Sequence, residues 1–153
     1  MPGFEEKIDE MYLDIPEPLQ ESENFVNVSK SGKLIFLSGQ LPYSEGRMIN
    51  KGRVGLELSL DAGRAAARAA TVQALGVLRS ELKSLNKIKR FVYMKLYAAT
   101  GAEFKDHKKV AAGSLELLRE IFGTFGKCSL EVAGSPSLPE GAAVELSFVV
   151  EVK

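Results

Sequence analysis

Hydrophobic and polar positions change rhythm several times along the chain, and each rhythm predicts an element. Residues 1–22 hold no sustained period. Pro16 and Pro18 punctuate an acid-rich stretch that reads as an extended arm or a short helix leading into the fold. From Asn24 the pattern sharpens. Phe25, Val26 and Val28, then Leu34-Ile35-Phe36-Leu37, read as two strands, and Ser31-Gly32 between them predicts a β-hairpin. Pro42 ends the second strand, because proline cannot donate to a ladder. A glycine-punctuated loop follows, with one short strand around residues 47–49.

The clearest helix is predicted from Leu60 to Leu82, with Ser59 as its N-cap. Ala67, Ala70, Ala74, Leu75, Leu78 and Leu82 form its apolar stripe. A stripe so rich in alanine lets a helix lie close to a flat sheet. Residues 88–98 (IKRFVYMKLYA) are β-branched and aromatic, hence a strand. A second helix runs from about Asp106 to Phe122, with Val110, Leu117, Leu118 and Ile121 inward, and Gly123 stops it. Residues 128–133 form another strand candidate. The last segment, 143–152, alternates cleanly, with Val144, Leu146, Phe148, Val150 and Val152 on one face. The order β-β-β-α-β-α-β-β predicts an α+β fold, one mixed sheet with both helices on one face. The expected organisation is an arm over residues 1–22 and a single domain over 23–153.

Composition narrows the function. The 153 residues suffice for one core. Lys plus Arg and Asp plus Glu are 20 each, so the net charge is zero, which argues against a dedicated nucleic-acid binder. One cysteine excludes an internal disulfide, and one histidine with it leaves no zinc-ligand set. No apolar run approaches a membrane span, and the acidic N-terminus lacks signal-peptide character, so the expected compartment is the cytoplasm. No nucleotide-phosphate motif occurs.

Most reactive side chains have an ordinary reading. His107 reads as a surface or capping histidine, Cys128 as a buried thiol, and Lys105, Lys108 and Lys109 as a solvated helix face. Two features point further. Ser38-Gly39-Gln40 ends a buried strand, where backbone N–H groups become available and a glycine permits close approach. Glu145 sits on the last strand, on the set of positions that includes Ser147 and Glu151 and is opposite the apolar one, so that the residues by themselves read it as facing solvent.

Residues 34–42 (LIFLSGQLP), Ala67-Arg68, Phe122-Gly123, Leu138-Pro139 and Val144-Glu145-Leu146 fall in an order that resembles the Rid/YjgF family, also called the "endoribonuclease L-PSP" family, and in particular a longer-armed subgroup of it. The resemblance covers roughly residues 24–152. It implies a chorismate-mutase-like fold, a homotrimer with ligand clefts between subunits, and no cofactor or metal. It also implies hydrolysis of reactive enamines and imines derived from amino acids. In that family an arginine clamps the substrate carboxylate and a strand glutamate positions or activates water. Glu145 falls on the glutamate, Gly39 on a cleft-lining glycine with Ser38 and Gln40 beside it, Phe25 on a cleft tyrosine, and Pro139 in the Leu-Pro motif. Counting back without a gap from Leu138-Pro139 places Leu130 on the arginine, and this count also matches Phe122-Gly123 and Gly126. Lengthening the loop over residues 134–137 instead places Lys127 there, a point charge without the planar fork. Ala112 stands where the subgroup has a helix asparagine. The resemblance thus implies either a deaminase acting on a carboxylate-bearing imine or a divergent ligand-binding trimer. RNA cleavage is the weakest reading of the three.

Overall fold

A computed structural model describes residues 3–19 and 21–153; Met1, Pro2 and Gln20 of the expected arm lie outside it. Seven strands and three α-helices follow one another as α1 (Phe4–Glu10), β1 (Val28–Ser31), β2 (Leu34–Leu37), β3 (Tyr43–Ser44), β4 (Arg47–Met48), α2 (Leu60–Leu82), β5 (Ile88–Ala99), α3 (His107–Phe122), β6 (Ser129–Ser135) and β7 (Val144–Val152). Five strands form the main sheet in the order β1-β2-β7-β5-β6. All its neighbours are antiparallel except β5 and β6, which α3 connects as a parallel crossover.

The α+β expectation holds. The long helices cover one face of the sheet, and the core lies between. Alternation along β7 buries Val144, Leu146, Phe148 and Val150 and leaves Glu145, Ser147, Val149 and Glu151 on the opposite face. Helix α2 has the predicted bounds, because Ser59 Oγ accepts from the Ala62 N–H at 3.1 Å and its alanine stripe is buried. Glycine permits α3 to approach α2 closely. A Cβ on Gly113 would lie 2.1 Å from the Arg64 carbonyl oxygen.

Three local expectations change. The first hairpin turns at Gly32-Lys33, one residue later than predicted, since Ser31 pairs with Leu34 and Gly32 takes a φ of +60°. Phe25 and Val26 precede β1 and are exposed rather than lying in it. The short strand β4 pairs with β3 in a separate two-stranded ribbon, so it does not extend the main sheet. The N-terminal stretch forms α1, which inserts Ile8 into the core at 1% exposure. Arg79 and Glu5 tie it to α2 at 2.8 Å, and Glu5 also accepts from the Leu85 N–H.

Candidate functional site

Gly39 and Glu145 meet because of a register irregularity. Phe36 faces Val149 and Gln40 faces Leu146, so the first chain takes four steps while β7 takes three. The extra residue is a bulge at the end of β2, closed by the Gln40 N–H donating to the Leu146 carbonyl (2.7 Å) and the Leu146 N–H donating to the Gln40 carbonyl (3.0 Å). It turns the Gly39 backbone toward β7. The Glu145 side chain then lies directly over Gly39: a Cβ there would be 2.7 Å from Oε2 and 2.9 Å from Cδ.

The segment before β1 is bound to the same place. The Ser38 N–H donates to the Asn27 carbonyl (2.9 Å) and Ser38 Oγ to the Val26 carbonyl (2.6 Å), which sets Phe25 alongside, with its ring exposed. Gln40 Nε2 donates to the Ser38 carbonyl and braces the bulge. Glu145 has no hydrogen-bond or ion-pair partner among the described residues. Burial without a compensating cation pushes its carboxyl above the ordinary carboxylate range. It stands opposite Tyr97 of β5, whose ring carries Lys95 Nζ 5.0 Å from its centroid. Another acid on this face, Glu131, differs. Glu131 accepts from the Tyr93 hydroxyl (2.8 Å) and pairs with Lys95 (3.5 Å), and these contacts hold its carboxyl below the usual range.

Lys127 and Leu130 lie elsewhere. Leu130 pairs with the buried Met94 and packs on the core side of β6, the face away from Glu145. Lys127 precedes β6, six residues before Ala133, which is the neighbour of Tyr97. At about 3.3 Å per residue, Lys127 and Glu145 sit roughly 20 Å apart along the strand direction of one chain. Lys127 and Leu130 nonetheless share a cavity of about 640 Å³ between β6 and the end of α3. Both positions that the resemblance implies for the family arginine thus line one cavity. Pro139 opens the exposed turn before β7, at the same end of the sheet as Glu145, where the Tyr43 hydroxyl donates to Glu140.

His107 lies on the helix side of the sheet against Gly134, with the Phe104 ring 5.2 Å away. Burial raises the Cys128 thiol to about 11, which keeps it protonated at neutral pH. Among the described residues no group of three His, Cys, Asp or Glu side chains could hold a metal ion, and no helix is long and apolar enough to cross a membrane. Sequence reasoning missed two neighbours of these sites. Tyr97 is placed against Glu145 only by strand register. Arg119 lines the Lys127 cavity, and its four-residue spacing from Leu115 was the one available signal.

The chain as a whole is similar to known proteins. Residues 5–151 fit the family described as "YjgF/chorismate mutase-like, putative endoribonuclease". Protein TCP17 of Trypanosoma cruzi is 30% identical over 141 residues, covering 92% of this chain and 88% of its own. A solved "putative endoribonuclease" from Shewanella oneidensis superposes with a TM-score of 0.94 at 26% identity, covering 99% of this chain and all of that one. Atu1372 of Agrobacterium tumefaciens, a protein of unknown function, superposes with a TM-score of 0.89 at 29% identity, covering 97% and 91%. With its fold and almost its whole length accounted for, the chain belongs to the YjgF/Rid family.

Proposed function

We propose that the protein hydrolyses reactive imines of amino-acid metabolism, with Glu145 as the proton-transferring group and without a cofactor. The observation that carries this reading is the Glu145 carboxyl laid over the bare Gly39 backbone, raised by burial and free of a cation among the described residues. A structural carboxylate is usually paired, as Glu131 and Glu151 are. An acid–base group instead benefits from a pKa moved toward neutrality. The ionised carboxylate takes a proton from water as the oxygen bonds to the imine carbon, and it passes that proton to the nitrogen, giving a neutral carbinolamine. The carboxylate then takes the remaining hydroxyl proton and delivers it to the amino nitrogen, so that the C–N bond breaks, ammonia leaves and the oxygen becomes the carbonyl of a 2-oxo acid.

The cleft is proposed to form between copies in a homotrimer, with Gly39, Gln40 and Glu145 of one copy facing Lys127 and Leu130 of the next. The separation of these groups within one chain supports this, because no single copy can place both ends of a small ligand. Lys127 offers a charge for the substrate carboxylate. A second reading is a ligand-binding trimer without turnover. It is favoured by Leu130, which lines the Lys127 cavity with an aliphatic side chain at the position that the gapless count gives to the family arginine. Zero net charge weighs against RNA as the substrate.

A pyridoxal-phosphate dehydratase generating the imine in situ tests the proposal. The protein is expected to accelerate release of the 2-oxo acid, and Glu145→Gln is expected to abolish the acceleration. No acceleration by the assembled wild-type protein would leave the binding reading.

A further inference from the structure

We infer that Arg119 supplies the planar cation that β6 lacks, so that the cavity between β6 and α3 takes a small carboxylate on a guanidinium. This rests on the reading above, in which that cavity receives one end of an imino acid. Arg119 lies in the last turn of α3, one turn after Leu115, and both line the cavity together with Thr124, Lys127, Cys128 and Leu130. The close approach of the following turn builds the pairing. A Cβ on Gly126 would fall 2.5 Å from the Leu118 carbonyl oxygen, so the chain presses directly on α3 and delivers Lys127 beside the Arg119 turn.

Charge then selects the ligand. Arg119 and Lys127 are the charged residues of the lining, no carboxylate belongs to it, and neither cation is ion-paired among the described residues. Other cations near acids are occupied, as Arg64 is by Glu116, Arg79 by Glu5 and Arg90 by Glu151. The remaining lining is mainly apolar or small, with Leu115 and Leu130 on the walls. A cavity of this kind suits a short-chain anion, its carboxylate bidentate on Arg119 with Lys127 as the second charge and its alkyl part against the leucines.

The test is titration of the wild-type assembly with 2-oxobutanoate and with its uncharged amide, followed by calorimetry or NMR. Arg119→Ala is expected to weaken 2-oxobutanoate about ten- to a hundredfold, the loss that accompanies a charge-assisted bidentate pair. It should leave amide binding and Tm unchanged, because the side chain is exposed at a helix end. Arg119→Lys should recover only part of the affinity. In turnover, Arg119→Ala should raise KM more than it lowers kcat. Equal binding of acid and amide by wild type, or wild-type affinity for the acid in Arg119→Ala, would overturn the inference. Arg119-dependent binding without imine turnover would sustain it while defeating the deaminase reading. Turnover with an unchanged KM in Arg119→Ala would do the reverse.

Discussion

Gly39→Ala separates the position of Glu145 from the stability of the fold. Gly39 does not adopt a positive φ, so alanine fits its backbone. The new Cβ would stand 2.7 Å from Oε2, about 0.7 Å short of the 3.4 Å at which ordinary contact begins. What it meets is the far end of a flexible side chain, so the glutamate swings aside and the backbone stays. Stability should change by no more than about 0.5 kcal/mol, or about 1–2 °C in Tm. The carboxyl, however, leaves its seat by most of an ångström and gains water. Misplacement on that scale costs on the order of 10²-fold in rate. It also removes the desolvation that raises the Glu145 pKa, so the carboxyl should titrate closer to the ordinary carboxylate range. Carbon-detected NMR of labelled glutamate reads the pKa, and the dehydratase-coupled assay reads the rate. In a double-mutant cycle, Gly39→Ala should cost nothing further once Glu145 is glutamine. A variant with unchanged rate and an unchanged Glu145 titration would refute the proposed seating of the carboxyl over Gly39.

Other consequences follow from the same geometry. Gly113→Ala meets rigid backbone, 2.1 Å from the Arg64 oxygen, so α2 and α3 must separate. Chemical denaturation should show a loss of about 2–3 kcal/mol and calorimetry a fall of about 4–12 °C in Tm. Ile8→Ala should cost about 2–4 kcal/mol by denaturant titration, because α1 is part of the core; a neutral effect would mean that the arm is dispensable. The Glu145 carboxyl is raised on folding, so the folded state holds its proton more tightly than the unfolded chain does. The contribution of that group to stability is full below the unfolded carboxylate pKa and is lost as pH rises through the folded value. Glu145→Gln should therefore be more stable than wild type at neutral pH, with the gap closing as pH falls through the carboxylate range. Cys128, raised to about 11, should react with iodoacetamide in the folded protein at least about tenfold more slowly at neutral pH than in the unfolded chain.

Elements were readable from sequence where local chemistry and period agreed. The Ser59 cap and the alanine stripe define α2 without help from the rest of the chain, and strict alternation defines β7 and the face that carries Glu145. Helix α1 was not resolved from an extended arm because seven residues span only two turns, and Ile8 alone of them is buried. Gly113 gives no sequence signal, since its partner on α2 lies 49 residues earlier. Gly39 was readable as a place of close approach. That Glu145 is what approaches depends on the one-residue bulge against β7, a property of register rather than of composition. Arg119 escaped notice because its cavity exists only once the chain after α3 folds back along the helix and β6 closes the other side.

Whether Glu145 over Gly39 performs hydrolysis is read from the decay of the imine itself. The dehydratase is stopped after a burst of imine, the protein is added, and the absorbance of the unstable species is followed in time. Decay should become faster in proportion to added wild-type protein, while Glu145→Gln, folded and assembled, returns it to the rate in buffer. Decay that stays at the buffer rate with assembled wild-type protein, or that Glu145→Gln accelerates equally, would contradict the account.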